Sequence, residues 1–302
     1  MPHLFTGLSA FPLTPADRDG VVDTDALGLL VERLVNAGVD SIGIFGSTGA
    51  YAYLDRSERI RAVAAALEAA GGRVPLIVGI GALRTSWVVE LARSAEITGA
   101  SGLLLPPMSY TSLTNDEVLE LYRTVAASTG LPLCIYNNPG TTNFTFSHSL
   151  IAEIAKIDGV AAIKMPPLAD SDYARELDIL RRSTPDTFRV GYSGDWAATP
   201  SLLAGASAWY SVIGGLLPEP ALRLTRLAQA GSHLEAIALN EAFSSLWDLF
   251  QQHGSLRIMY AIADRLSLPV GDPPQPIQRI DTCRVDLVEA ALDRLELPAK
   301  TA

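Results

Sequence analysis

The first feature that could do chemistry is a lysine at the end of a short apolar run. Residues 160–163 are small or branched apolar residues, Lys164 follows them, and a Met-Pro-Pro turn comes next. The run is too short for a helix and lies between Gly159 and Pro166, which predicts a strand buried on both faces. Lysine occurs only at 156, 164 and 300, so twenty of the 23 lysines and arginines (23 − 3) are arginines. The position of Lys164 therefore needs a physical reason.

Burying an ammonium group in an apolar strand is costly unless the group is paired or neutralised. Desolvation disfavours the charged form of an amine, and a neutral amine is the nucleophile that forms a Schiff base with a carbonyl substrate. The alternative is a side chain that extends from the strand end to solvent or to an ion pair. For Lys164 alone both interpretations stay open.

Tyr136 is the second candidate. It ends another predicted strand and precedes Lys164 by 28 residues (164 − 136), the length of one strand–helix unit. We therefore expect the two side chains at adjacent strand ends on one rim. A phenol beside an imine-forming amine supplies the proton shuttle that carbinolamine formation and dehydration require. The alternative is a rim aromatic residue that hydrogen-bonds to backbone.

Strands and helices alternate through most of the chain. Eight strands and eight helices over about 230 residues predict an α/β protein with a (β/α)8 TIM barrel. The competing architecture, an open doubly wound sheet, usually has five or six strands. The predicted strands are 6–11, 41–45, 75–80, 102–105, 131–136, 160–164, 188–192 and 208–213. The predicted helices before the tail are 23–37, 56–70, 85–98, 114–128, 147–156, 171–182 and a short one that ends at 204.

Length and composition fit one large barrel with an appendage. We expect residues 1–230 to form the barrel that carries the active site, and residues 231–302 to form a C-terminal helical region. The tail contains proline-rich breaks near 269 and at 272–274. Hydrophobic residues make up 48% of the chain and charged residues 19%, values typical of a globular protein with a sizeable core.

Charge and cysteine usage exclude several classes of partner. The net charge is −10 and no basic patch occurs, which argues against nucleic acid and against anionic membranes. Two cysteines are too few for a disulfide framework and indicate a reducing compartment. No apolar run in the sequence has the length needed to span a membrane. The N-terminus lacks the regions of a signal peptide. The four histidines show no ligand spacing, so we expect no metal.

A glycine-rich loop follows the second predicted strand. Catalytic groups of a barrel lie at the C-terminal ends of its strands. Residues 46–49 read Gly-Ser-Thr-Gly, and the glycines permit a tight turn. The hydroxyls of Ser47 and Thr48, together with backbone N–H groups, can hold a carboxylate. The same tetrapeptide also occurs as an ordinary turn.

Four motifs together carry a family resemblance. They are Gly-Ser-Thr-Gly at 46–49, Tyr-Asn-x-Pro at 136–139, Ile-Lys at 163–164 and Ser-Gly-Asp at 193–195. In this order and spacing they resemble the dihydrodipicolinate synthase / N-acetylneuraminate lyase family, from about Gly7 into the helical tail. The resemblance implies a class I, Schiff-base-forming aldolase on a (β/α)8 barrel with a C-terminal helical region.

The resemblance also implies roles for single residues. Lys164 would form the Schiff base with pyruvate or a related 2-oxo acid, and Tyr136 would be the proton shuttle. Ser47 and Thr48 match the hydroxyl pair that binds the keto acid's carboxylate and links to the tyrosine, so Ser47 is both a catalytic and a binding candidate. The further substrate-binding candidates are Tyr110, Thr141, Gly194, Asp195 and Tyr210, the last through its backbone carbonyl. The resemblance implies no metal or diffusible cofactor, and a cytoplasmic homo-oligomer, a tetramer or dimer.

Several positions depart from the family pattern. Synthases carry an arginine two residues after Tyr-Asn-x-Pro, which binds the carboxylate of the aldehyde substrate, and here that residue is Thr141. The relay tyrosine after the fourth strand is matched by Ser109, with Tyr110 next to it. Sialate lyases carry two carboxylates after the seventh-strand glycine, where this chain has Trp196 and Ala197. We therefore expect a more aromatic and less charged rim.

Two functions of different class follow. The first is a Schiff-base-dependent lyase, an aldolase or dehydratase, that acts on a 2-oxo acid and in some reactions on an aldehyde. The second is a non-catalytic barrel that binds a 2-oxo acid. Within the enzyme class, aldol cleavage, dehydration of a 2-keto-3-deoxy acid and 4-hydroxy-tetrahydrodipicolinate synthase activity compete, and Thr141 disfavours the last.

Overall fold

Eight parallel strands close into a barrel in chain order. The computed structural model describes residues 4–295, except for the side chains at 282 and 283. The first strand pairs with the second and with the eighth, which closes the sheet. The strands are β1 (Gly7–Ala10), β2 (Ser41–Ile44), β3 (Leu76–Gly79), β4 (Gly102–Leu105), β5 (Leu133–Tyr136), β6 (Val160–Met165), β7 (Arg189–Tyr192) and β8 (Ala208–Ser211). The predicted TIM barrel is confirmed.

Helices separate the strands and continue beyond them. The predicted helices 56–70 and 85–98 agree with the structure at both ends. The four-residue helix directly after β5 was not predicted, because its Asn-Pro-Gly sequence is also typical of a turn. The helices are α1 (Thr24–Ala37), α2 (Arg56–Ala70), α3 (Thr85–Thr98), α4 (Asn115–Ala126), α5 (Pro139–Thr142), α6 (His148–Ile154), α7 (Tyr173–Ser183), α8 (Ala198–Leu203), α9 (Pro218–Gln229), α10 (His233–His253), α11 (Ser255–Arg265) and α12 (Thr282–Asp293).

The strands are buried because side chains cover them on both sides. Every residue of β1 to β5 and of β8 is buried. A large core lies between the sheet and its helices, and a smaller cluster fills the barrel. The buried members of the smaller cluster are Phe5, Phe11, Ile77, Leu104, Cys134, Tyr136, Ala162, Ala208 and Tyr210. The barrel is thus a packed interior, and a polar group there needs a specific partner.

The C-terminal helices follow a tight turn. Helix α9 ends at Gln229 and α10 begins at His233, so the expected boundary between 230 and 231 falls within that turn. Residues 266–281, which contain the proline-rich breaks, form neither helix nor strand. Helices α10, α11 and α12 contact one another. Among residues 4–295, none of the helices combines the length and the apolar character needed to cross a membrane.

The approach of β3 to Phe45 leads to a stability prediction. A Cβ at Gly79 would lie 2.0 Å from the Phe45 carbonyl oxygen, so Gly79→Ala requires a backbone shift. We expect it to lower the free energy of unfolding by about 3 kcal/mol, measured by urea denaturation. Gly28→Ala is the matched control. Its Cβ would meet only Ala69 at 3.8 Å within helix α1, and we expect a gain of about 0.5–1 kcal/mol. Equal effects of the two substitutions would contradict the steric argument.

Candidate active site

Lys164 and Tyr136 end neighbouring strands. Strands β5 and β6 pair in parallel, with Tyr136 opposite Lys164 in the register. Each residue is only 3% exposed. The 28-residue spacing (164 − 136) predicts this adjacency, because one strand–helix unit advances the chain by one strand. The barrel therefore brings the amine and the phenol together at the carboxyl end of its strands.

Aromatic rings surround the Lys164 amine. Its Nζ lies 4.2 Å from the ring centroid of Phe11, 4.3 Å from that of Tyr136 and 5.7 Å from that of Tyr210. None of the ion pairs within residues 4–295 includes Lys164. The burial excludes a side chain extended to solvent, and the ring faces attract the cation in place of a carboxylate.

Two glycines make room for the Phe11 ring. A Cβ at Gly43 would lie 2.1 Å from Phe11 Cζ, and one at Gly46 would lie 2.7 Å from Phe11 Cδ1. A larger residue at either position would collide with the Phe11 ring, which lies beside the amine. The sequence analysis did not single out Phe11. Gly43 and Gly46, on and just after β2, were the only local signal for it.

The Tyr136 hydroxyl takes part in two hydrogen bonds. It lies 3.2 Å from Ser47 Oγ, and Asn138 Nδ2 donates to it at 3.0 Å. Burial raises the pKa of this phenol, but the positive charge of Lys164 and the hydrogen bonds with Ser47 and Asn138 lower it by more. The pKa of Tyr136 therefore lies below its ordinary value. A phenol in this state can give up and recover a proton beside the amine.

A strained residue directly precedes the Gly-Ser-Thr-Gly loop. Phe45, directly after β2, has a φ of 64°, a left-handed conformation that bulky residues rarely adopt. The loop then turns tightly, with the N–H of Gly49 donating to the Gly46 carbonyl at 3.0 Å. As a result Ser47 is exposed at the barrel mouth while its hydroxyl reaches Tyr136, and Thr48 is buried.

A buried arginine packs against Phe45, the residue that precedes this loop. Arg59 of α2 is 5% exposed and donates to the carbonyls of Gly79 at 2.8 Å and Gly81 at 2.9 Å. Its guanidinium lies 5.4 Å from the ring centroid of Phe45 and 5.3 Å from that of Tyr51. Burial lowers the pKa of Arg59 to about 10, although Tyr51 opposes the shift. The sequence analysis missed Arg59, whose signal was a charged residue on the apolar face of α2.

The position of the missing arginine, Thr141, is the third residue of α5. Thr141 is exposed, and its hydroxyl donates to the Asn138 carbonyl at 3.4 Å. Arg84, the nearby cation that could compensate for its loss, is exposed and stacks over the Trp87 ring at 5.3 Å. The geometry therefore leaves a neutral hydroxyl at the position where the sequence resemblance predicts a guanidinium in synthases.

The Asp195 carboxylate is bonded within the protein. One oxygen accepts from Trp209 Nε1 at 2.8 Å and from the N–H of Val212 at 3.0 Å, and the other accepts from the N–H of Ile213 at 2.8 Å. Burial raises the pKa of Asp195 to about 6, and these hydrogen bonds oppose the shift. Gly194 has a φ of 79° and turns the chain close to Pro167. Asp195 therefore connects the turn after β7 to β8 and to the residues that follow β8.

Of the remaining candidates, Tyr210 lies near Lys164 and Tyr110 does not. Tyr110 is 97% exposed, and no ring contact joins it to Lys164 among the described residues. Ser109 donates to the Thr111 carbonyl. The Tyr210 ring lies inside the barrel, with its hydroxyl 3.4 Å from the sulfur of Cys134. Within residues 4–295, no three His, Cys, Asp or Glu side chains are placed to hold a metal ion.

The comparisons with known proteins agree on one family. The profile of the Dihydrodipicolinate synthetase family matches residues 4–295. The 4-hydroxy-tetrahydrodipicolinate synthase of Laribacter hongkongensis is 30% identical over 295 residues, covering 97% of this chain and 100% of the relative. That of Thiobacillus denitrificans is 31% identical over 288 residues, covering 94% and 95%. The crystal structure of dihydrodipicolinate synthase from Agrobacterium tumefaciens superposes with a TM-score of 0.95 at 53% identity, covering 97% and 98%.

A closed barrel of eight parallel strands with helices outside defines the TIM-barrel class. The match over almost the whole chain makes the assignment more specific: the protein belongs to the dihydrodipicolinate synthetase family. It is an enzyme, a lyase of the class I aldolase type.

The bonding of Asp195 predicts a structural effect. Asp195→Ala leaves the donors of Trp209, Val212 and Ile213 without their acceptor, and we expect a loss of about 3 kcal/mol in the free energy of unfolding. The control is Asp186→Ala, an exposed carboxylate before β7, with an expected change within about 0.5 kcal/mol. Urea denaturation measures both. An unchanged stability combined with lost pyruvate binding would assign the Asp195 carboxylate to the substrate instead.

Proposed function

We propose that this lyase forms a Schiff base between Lys164 and pyruvate or a related 2-oxo acid. The observation that carries the proposal is the buried Lys164 amine, which has ring faces around it and contacts Tyr136, a phenol whose pKa lies below its ordinary value. Imine formation needs a nucleophilic amine and a group that moves protons beside it. The site supplies both without a metal or cofactor in the proposed chemistry.

The steps follow from the positions of the groups. The lone pair of the Lys164 amine attacks the carbonyl carbon of the oxo acid, and a proton then passes from the nitrogen to the former carbonyl oxygen, which gives a carbinolamine. Tyr136 transfers its proton to the carbinolamine hydroxyl, the C–O bond breaks, water leaves, and the nitrogen lone pair forms the C=N bond. Ser47 shares a hydrogen bond with the phenol and is exposed, so it can relay protons toward solvent. The hydroxyl of Thr48 and the loop N–H groups hold the carboxylate of the oxo acid.

In this proposal, the end of the second substrate that faces Thr141 carries no charge. Thr141 offers one uncharged hydroxyl, and Arg84 is stacked on Trp87 at 5.3 Å. We therefore favour an aldolase or dehydratase over a true synthase. The names of the relatives at 30% and 31% identity favour the alternative, 4-hydroxy-tetrahydrodipicolinate synthase. A barrel that binds a 2-oxo acid without turnover is the remaining alternative.

Assembly and location form part of the same proposal. Leu83, Trp87 and Tyr110 are exposed apolar side chains after β3 and β4, which supports association with further copies as a dimer or tetramer. Cys134 is a buried free thiol, which supports a reducing, cytoplasmic location. We also propose the division into a barrel domain, 1–230, and a helical region, 231–302.

Borohydride reduction tests the Schiff base. With pyruvate present, we expect one covalent adduct per chain, located on Lys164 by peptide mass spectrometry, because the reduced imine can no longer hydrolyse. Lys164→Arg should give no adduct, while Lys156→Arg, an exposed control, should give the wild-type yield. If no 2-oxo acid yields an adduct, the Schiff-base proposal fails and the barrel that binds a 2-oxo acid without turnover becomes the favoured alternative.

Condensation of pyruvate with aspartate semialdehyde tests whether the site accepts a second substrate that carries a carboxylate. We expect wild-type turnover roughly ten- to a hundredfold below that of Thr141→Arg, since a charge-assisted pair to the aldehyde's carboxylate is worth about 1.5–3 kcal/mol. Arg84→Ala is the control and should change nothing. Efficient wild-type condensation that survives Arg84→Ala would establish the synthase alternative.

A further inference from the structure

Asn138 occupies the open position of the Tyr-Asn-x-Pro motif. It precedes Pro139, the first residue of α5, so it stands where asparagine usually caps a helix with its side chain. Here its side chain forms no capping bond to α5. Its Nδ2 instead donates to the hydroxyl oxygen of Tyr136 at 3.0 Å. The amide therefore contacts the proposed proton shuttle and gives up its common structural role.

The backbone of Asn138 is fixed independently of this contact. Its carbonyl accepts from the N–H of Thr141 at 3.0 Å and from the N–H and hydroxyl of Thr142 at 3.1 Å and 3.0 Å. Helix α5 thus holds the residue from the backbone side, and the half-buried side chain is free to face the phenol. Substitutions of the side chain should leave this backbone anchoring intact.

The two partners of the phenol differ in chemistry. A serine hydroxyl donates or accepts, so the bond of Ser47 to Tyr136 can reverse direction when a proton moves. The amide N–H of Asn138 can only donate. A fixed donor stabilises a phenolate more than a phenol, because bonds to an ionised acceptor are about twice as strong. Asn138 therefore supplies a permanent hydrogen-bond donor to the Tyr136 hydroxyl, whereas Ser47 supplies a hydrogen bond that can change direction.

We propose that Asn138 is a positioning residue of the reaction: a permanent donor that orients the Tyr136 hydroxyl and stabilises its phenolate while the carbinolamine loses water. This inference rests on the proposed Schiff-base function. When the carbinolamine C–O bond breaks, Tyr136 keeps the electron pair of its O–H bond and becomes the phenolate that Asn138 holds. In hydrolysis of the product imine, the phenolate takes its proton back from the attacking water, which closes the cycle.

The test compares two substitutions of Asn138 with a matched substitution at a neighbouring asparagine. Asn138→Asp replaces the donor by a carboxylate beside the phenol, and Asn138→Ala removes it. Asn143→Asp is the matched control: Asn143 is exposed at the end of α5, and its φ of 53° is one that aspartate also tolerates. The readout is the rate of pyruvate imine formation, followed by borohydride quenching and mass spectrometry, with the pyruvate dissociation constant measured in parallel.

We expect the imine to form roughly ten- to a hundredfold more slowly in Asn138→Ala, and more slowly still in Asn138→Asp. Pyruvate affinity should change by less than about threefold, because Asn138 holds the shuttle and not the substrate. The pH limb that reports Tyr136 should move to higher pH in both variants, since the phenolate loses its donor and the pKa of the phenol rises. Asn143→Asp should keep both the wild-type rate and the wild-type limb.

A second comparison separates positioning from simple packing. In a Tyr136→Phe background, Asn138→Asp should cause little further loss, because the atom that receives the donor is gone. An Asn138→Asp protein that folds and keeps the wild-type rate overturns the proposal, and so does an equal loss in the Tyr136→Phe background. If the wild-type protein forms no pyruvate adduct, the Schiff-base function itself fails, which is a distinct result.

Discussion

An amine and a phenol buried side by side, without a carboxylate counter-ion among the described residues, set the constraint on which this structure depends. Burial raises the pKa of Tyr136, but the positive charge of Lys164 and the hydrogen bonds to the phenol lower it by more. Water would weaken this interaction, and a carboxylate would compete with the phenol for the amine. The ring faces of Phe11 and Tyr210 keep both away from the pair.

The barrel meets this constraint through backbone geometry. Strands β5 and β6 place the two side chains opposite each other, and burial of the strands on both faces keeps their surroundings dry. Gly43 and Gly46 leave the space that the Phe11 ring needs beside the amine. The same close packing makes Gly79 intolerant of a larger residue, since Phe45 turns directly against it. Packing and chemistry therefore depend on the same few small residues.

Buried charges elsewhere shape the loops around the site. Among residues 4–295, no carboxylate forms an ion pair with Arg59, which donates to two carbonyls at the end of β3. Asp195 accepts from the indole N–H of Trp209 in β8 and from backbone N–H groups after that strand. Each exchanges hydration for fixed backbone dipoles, which is the condition under which a buried charge is tolerated. Arg59 also lies against Phe45, which precedes the Gly-Ser-Thr-Gly loop, and the contacts of Asp195 hold the Ser-Gly-Asp turn.

The sequence by itself determined the barrel, two helices to the residue, and the meeting of Lys164 with Tyr136, because strand order in a parallel barrel follows chain order. Local patterns carry such information. Only the tertiary structure decided where side chains point: Asn138 toward the phenol, Asp195 into the turn, Tyr110 toward solvent. Phe11 directly follows β1 and Lys164 lies in β6, so their contact joins two residues that are far apart in the chain. Such orientations depend on contacts between residues far apart in the chain, which no local spacing encodes.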